Sequence, residues 1–384
     1  LDTAVMRILE SKWELGLFTD PFARCDEHRA AVIHLNATHR NLAREAARES
    51  LVLLQNQNHL LPLAKCGTIA VVGPLSDDRR AMLGCWIAAG DERLAISPLQ
   101  GILEAVGKNA TIVTEITEQV DVIILILGEF HEMYGEAASK TDIRLPKSQR
   151  KLAKQISKLG TPCVLVTMSG RPLELSWEAA RFPTMLHGWA LGIEAGRALA
   201  DVIFGELSPV GKLTMGFPRS VGQLPMTYRE KPGGRPFDAA ENYTSKYLDS
   251  PNDALFPFGH GLTYGEFQLG ELTADPPEIK AGVVIQISTE LHNLSSHPAT
   301  ETLQLYLRDS FASVTRPIKE LRGFKRITLD AGEKRIIAFE ITEGDLSFPA
   351  ADGRLKTEPG EFVAMIGFSS AHFRSVKFNS TVDV

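Results

Sequence analysis

The chain has 384 residues, of which 44% are hydrophobic and 23% charged, and its formal net charge is −6. That length suggests two or three domains of ordinary globular composition. With no basic run and no apolar stretch of about eighteen residues, neither a nucleic-acid partner, an anionic membrane surface nor a membrane-spanning helix is expected.

The first residue is Leu, and no charged, then apolar, then small-residue leader pattern follows it. The chain therefore reads as a fragment, a processed product or a trimmed piece. Val5, Ile8, Leu9 and Trp13 recur at helical spacing and predict a helix over 1–18, capped by Asp2 or Thr3 and ended by Gly16 and Pro21. So short a helix cannot bury its apolar stripe alone. A second helix is predicted over Thr38–Ser50.

From residue 51 the texture changes. Apolar runs at 68–74, 120–128 and 162–170, each closed by glycine, alternate with helical stretches at 147–159 and 193–205. This pattern predicts a mainly parallel sheet covered by helices on both faces. Ligands of such sheets sit at the carboxyl ends of the strands, here the turns near Gly73, Gly128 and Gly170. Only about five residues separate the strand-like Thr111–Glu115 from the strand starting at Asp121, whereas a parallel crossover takes about a dozen. Either one strand is absent, or it joins antiparallel, or 111–119 is not a strand.

Residues 206–270, rich in Gly, Pro and aromatics, read as a long irregular connection, which signals function or interdomain packing. From about 271, alternating runs at 283–288, 302–307, 335–340 and 361–366 predict an all-β sandwich. Cys25, Cys66, Cys85 and Cys163 show no metal or redox spacing, and Cys163, inside an apolar run, is expected to be buried. No cofactor motif or metal-ligand cluster appears.

The phrases ESLVLLQNQNHLLPL, TIAVVGPLSDD, GKLTMGFPRSVGQLP and LFPFGHGLTYGEF are strongly similar to those of family 3 glycoside hydrolases. The run GEFHEMYGEAASKTDIRLPKSQ resembles the acid/base loop of the periplasmic β-glucosidases in that family. The resemblance implies a TIM-like barrel that supplies an aspartate nucleophile, an α/β sandwich that supplies the acid/base, and a fibronectin type III-like domain. Residues 1–50 then read as a barrel-end helix and linker, and 51–217 as the α/β sandwich. Residues 218–270 are the irregular connection, and 271–384 the fibronectin type III-like domain. Nearly all of the barrel is missing from this reading, and the family's long insertion near 111–121 is lost. A periplasmic or secreted location, and a β-linked oligosaccharide or glucoside as substrate, follow from the resemblance alone. Whether the chain forms homo-oligomers is left open.

Retaining glycoside hydrolysis uses two carboxyl groups about 5–5.5 Å apart, one as nucleophile and one as acid/base. By its match to the family motif, Glu136 is the acid/base candidate. Its rivals are Glu129, expected to hydrogen-bond turn amides, and Glu132. Ser139, Lys140 and Asp142 are expected to fix the loop; Lys140 stands where the family usually has Arg. Trp86 either stacks on a sugar face or packs between domains. Trp189 and Glu194 read as packing and helix-start residues. Three functions stay open: part of a β-glucosidase that works only with its barrel, a non-catalytic carbohydrate-binding or partner-stabilising module, and an inactive fragment. β-Xylosidase and exo-glucanase stay open as alternatives for the parent activity.

Overall fold

A computed structural model describes residues 1–116 and 119–382. The chain divides into two compact units, Leu1–Ala43 and Arg44–Val384. In the first, α1 spans Asp2–Glu14 and α2 spans Glu27–Ile33. α1 stops four residues short of the expected end, since the chain turns before Gly16, whose φ is +73°. None of its side chains is buried, and Val5, Ile8, Leu9 and Trp13 are all exposed. α2 was not legible; Asp26 caps it by accepting from the Arg29 amide. α3 (Ala37–Ser50) contains the boundary between the units.

The second unit opens with an α/β domain. Its strands are β1 (Val52–Asn56), β2 (Thr68–Val72), β3 (Thr111–Val113), β4 (Val122–Gly128), β5 (Cys163–Met168) and β6 (Thr184–His187). They form one sheet in the order β1-β6-β5-β4-β2-β3. Only the β1–β6 pair is antiparallel. Helices α4 (Arg79–Met82), α5 (Pro98–Val106), α6 (Lys147–Ile156), α7 (Ser176–Ala179) and α8 (Ala195–Ile203) cover it. Every residue of β4 and β5 is buried, because successive side chains feed two cores. Val122, Ile124 and Ile126 join the core under α5 and α8, and Ile123, Leu125 and Leu127 the core under α6. Full burial of each such side chain contributes about 1.5–3 kcal/mol.

The three alternatives for 111–119 are all corrected by this sheet. β3 is a strand, it is present, and it runs parallel to β2 at the sheet edge. The connection to β4 needs no helix, because it has only the single strand β2 to cross. Ile116 and Val120, on either side of residues 117–118, pack onto the α6-side core where a crossover helix would otherwise sit.

The all-β part comprises β7 (Phe267–Leu269), β8 (Thr273–Asp275), β9 (Glu278–Ile279), β10 (Ile285–Asn293), β11 (Ala299–Asp309), β12 (Glu320–Leu329) and β13 (Lys334–Ile341). A small ladder of β14 (Phe348–Pro349) with β15 (Leu355–Lys356) follows, then β16 (Gly360–Gly367) and β17 (Phe373–Ser380). One sheet has the order β13-β10-β7, with β8 also paired to β10; the other has the order β12-β11-β16-β17-β9. A single core, including Ile287, Leu305, Phe339 and Ile366, lies between them.

β11 also builds the joint to the α/β domain. Its Glu301 meets Lys212 at 2.6 Å, with both side chains largely buried. Burial pushes the Glu301 carboxyl up against the opposing pull of Lys212. Gln304 donates to the carbonyls of Gly259 and Phe368 and accepts from the Tyr306 hydroxyl. Gly259 has a φ of +77°, and a Cβ there would lie 1.9 Å from the Gln304 side-chain oxygen. Next to it, His260 reaches the Leu54 carbonyl of β1 at 2.7 Å.

Candidate active site

The sheet delivers β4 and β5 side by side, and their carboxyl ends hold the candidate site. At the end of β4, the buried Gln149 of α6 bonds both the amide and the carbonyl of Gly128 at 2.8 Å. Gly128 is required there: its φ is +151°, and a Cβ would lie 1.8 Å from the Met168 carbonyl oxygen. Glu129 follows, with its amide donating to that same carbonyl and its side chain fully buried.

The expectation that Glu129 bonds turn amides is corrected. Its carboxylate faces two cations instead, Arg171 Nε at 3.1 Å on Oε2 and Lys140 Nζ at 3.3 Å on Oε1. A buried carboxylate is tolerable only with such partners. Arg171 lies just beyond β5, where Ser169 Oγ donates to its carbonyl at 2.6 Å. The Nη2 of Arg171 reaches further, donating to the Met133 carbonyl at 2.6 Å and the Ala138 carbonyl at 2.9 Å. One guanidinium thus ties the strand-end carboxylate to both limbs of the loop that carries Glu136.

The loop is shaped by close packing. Tyr134 is buried against Gly170, where a Cβ would lie 2.0 Å from the ring. Burial first, then the neighbouring Cys85 and Glu129, push the Tyr134 phenol up to about 12. Gly135, at a φ of +99°, sits against Cys85, whose Sγ would be 2.5 Å from a Cβ. Ala137 has a φ of +58°, a conformation that costs an L-residue about 1–2 kcal/mol. Between these two residues, Glu136 is exposed at the turn. Its carboxyl makes no hydrogen bond or ion pair among the described residues.

Trp86 joins the same place. Its Cζ2 lies 3.6 Å from where a Gly135 Cβ would be, and the residue is 73% exposed. Its indole is therefore not buried between the two described domains, and it offers a ring beside Glu136. Glu132 is exposed and meets His131 Nδ1 at 3.3 Å. The Asp142 carboxylate accepts from the guanidinium of Arg144 through both oxygens and from the Arg144 amide, which holds the carboxyl well below the usual carboxylate range. Trp189 packs edge-on against His187 at 4.3 Å, and Glu194 precedes α8 and pairs with Arg197 at 3.0 Å. Cys163 is buried, and burial pushes its thiol up to about 12. Among the described residues, no group of three His, Cys, Asp or Glu side chains could hold a metal ion.

Arg171 was not singled out from the sequence. Its signal was faint but present: an Arg directly after the Ser-Gly that closes β5, on the strand next to β4.

The model of the glycosyl hydrolase family 3 C-terminal domain matches residues 51–264, and that of the fibronectin type III-like domain matches 301–370. A periplasmic β-glucosidase of Salmonella typhimurium is 37% identical, with 98% of this chain and 55% of the relative covered. A β-xylosidase of Formosa agariphila is 35% identical, with 96% and 54% covered. Among solved structures, a β-glucosidase from Listeria innocua in complex with isofagomine superposes with a TM-score of 0.91 at 38% identity, over 99% of this chain and 55% of that one. A mutant of the Listeria protein was solved with laminaribiose. The chain belongs to glycosyl hydrolase family 3 and corresponds to its C-terminal part. It spans about half the length of the curated relatives it matches.

Proposed function

We propose that this chain supplies the acid/base, Glu136, of a retaining β-glucosidase that removes terminal non-reducing β-D-glucosyl residues. The nucleophile and the groups that grip the terminal sugar come from a barrel that its 384 residues do not contain. The observation that carries the reading is Glu136 itself: an exposed, unpartnered carboxyl on a turn held at the carboxyl edge of the sheet, with the exposed ring of Trp86 beside it. Such a carboxyl can protonate a leaving oxygen and later take a proton from water, provided a nucleophile faces it about 5–5.5 Å away. Trp86 stacks on the sugar beyond the cleaved bond, since a pyranose presents an apolar C–H face to an aromatic ring. With it goes a division into barrel-end helix and linker (1–50), α/β sandwich (51–217), connection (218–270) and β-sandwich (271–384), in a periplasmic or secreted protein.

The test uses the chain joined to its barrel. Glu136→Gln lowers turnover about 10²–10⁴-fold on glucosides with poor leaving groups, and much less in the first step for activated aryl glucosides. Azide restores the second step, because it needs no base. Glu132→Gln serves as the control on the same loop. If Glu132→Gln shows the leaving-group dependence and Glu136→Gln does not, the assignment is wrong. The 384-residue chain alone should not hydrolyse aryl β-glucosides, since one carboxyl cannot run a two-carboxyl displacement. The similarity to a β-xylosidase carries a second reading of the sugar, decided by comparing aryl β-glucoside with aryl β-xyloside.

A further inference from the structure

We propose that Arg171 is the positioning residue for Glu136, holding the turn so that the carboxyl is presented in one direction; this rests on Glu136 as the acid/base. The turn from Met133 to Ala138 contains two residues with positive φ, Gly135 and Ala137. A short exposed segment does not hold an alanine in that conformation by itself; its surroundings must over-determine it. The surroundings here are few and can be named. Tyr134 is seated on Gly170, Gly135 on Cys85, and the two ends of the turn are tied through the carbonyls of Met133 and Ala138 to the same Nη2 of Arg171.

What aims Arg171 is Glu129. That carboxylate is fully buried at the end of β4, a strand paired on both sides, so it is the fixed point of the site. Its Oε2 takes the Arg171 Nε, and its Oε1 takes Lys140, further out on the same loop. A guanidinium is suited to this task because it is planar and spans several acceptors in a fixed fork. An ammonium at 171 would keep the charge beside Glu129 but could not also bracket the turn. Lys140 at 3.3 Å adds charge balance rather than geometry. The chain from β4 to Glu129 to Arg171 to the turn thus converts the rigidity of the central sheet into the position of one exposed carboxyl. A displacement of about 1 Å at a reacting group lowers rate by about 10²-fold.

Two measurements test this. In the 384-residue chain, hydrogen–deuterium exchange is followed well below the unfolding temperature for parent, Arg171→Lys, Arg171→Ala and Glu129→Gln. Faster exchange confined to 133–138, with β4 and β5 still protected, is the expected result. Unchanged exchange at 133–138 in both Arg171 variants overturns the proposal. In the barrel-joined enzyme, Arg171→Lys loses about 10–10²-fold on poor leaving groups and little on activated ones, and added guanidinium rescues Arg171→Ala but not Glu136→Gln. A loss equal across all leaving groups, tracking only the folded fraction, also overturns it. Should Arg171→Ala fail to fold, Arg171→Lys alone decides. If Glu136→Gln lacks leaving-group dependence while the Arg171 variants free the turn, it is the acid/base reading that falls and the clamp that stands.

Discussion

Two irregular stretches, 129–142 and 231–250, look alike in sequence: each is long and polar, with glycine and aromatic residues. Their structures differ in where the hydrogen bonds go. In 231–250 nearly every bond stays inside the segment or reaches its immediate flank, such as Thr244 to Asp238, Lys246 to Glu241 and Asn252 to Ser245. Phe237, Tyr243 and Leu248 face solvent. In 129–142 the decisive bonds leave the segment, to Arg171 beyond β5 and, through Glu129, to the base of the loop. The lesson is that irregular backbone becomes a defined site when a buried charge connects it to the sheet, whatever its own composition.

The largest effect that tests this contrast is at Gly128. Gly128→Ala places a Cβ against the Met168 carbonyl at a φ of +151° and should lower stability by about 2–5 kcal/mol in chemical denaturation. A loss below about 1 kcal/mol would mean that the strand ends are not as rigidly paired as the contrast requires. Next is Glu129→Ala, which leaves Arg171 and Lys140 without their carboxylate. We expect a loss of about 2–4 kcal/mol, below the fully buried limit because the two cations keep 21% and 29% exposure.

A pH experiment sharpens the same point at β6, which ends in the fully buried His187. Its Nδ1 is 3.0 Å from Thr167 Oγ1, and burial lowers its pKa to about 3. The folded pKa lies below the unfolded value of about 6.5, so below pH 6.5 the unfolded chain takes up a proton that the folded chain refuses. Stability therefore falls as pH drops from about 6.5 towards 3, by up to about 1.4 kcal/mol per unit from this group. His260, also depressed by burial, adds in the same direction. His187→Gln should make the slope between pH 6 and 4 shallower without abolishing it; an unchanged slope would show that His187 accepts a proton in the folded chain.

The smallest effects belong to the other stretch. Tyr243→Ala and Leu248→Ser should each change stability by no more than about 0.5 kcal/mol. Trypsin should cut after Lys246, since Lys231 and Arg235 each precede a proline, before it cuts after Lys140 or Arg144. Early cleavage at Lys140 would erase the distinction between the two stretches.

The legible parts of the fold were those with a local signal. β2, β4 and β5 showed as unbroken apolar runs because both their faces are covered. β12 went unread because Glu320–Leu329 mixes charged side chains with glycine, and much of it is exposed. β1 and β6 went unread because they are short, and their antiparallel pairing joins residues more than a hundred positions apart. The loop around Glu136 was legible through its motif, and the tie that holds it was not. Glu129 and Arg171 are 42 positions apart, and only the parallel pairing of β4 with β5 brings them together. The short 114–121 connection misled for a related reason: the dozen-residue rule assumes a helix, and Ile116 and Val120 take its place.

The joint at β11 has a consequence for how the molecule comes apart. A β-sandwich at the end of a chain can behave as an independent bead on a tether. Here the strand that fills the sandwich core also grips the other domain, through Glu301 on Lys212 and Gln304 on Gly259, and the neighbouring His260 reaches β1. Melting the sandwich would strand a lysine and a carbonyl in a half-open seam, so neither domain has a low-energy way to unfold first. Arg44–Val384 is one compact unit, and we expect it to melt as a single block: in a calorimeter it should absorb heat in one peak, and pulled from its C-terminal end it should yield in one step.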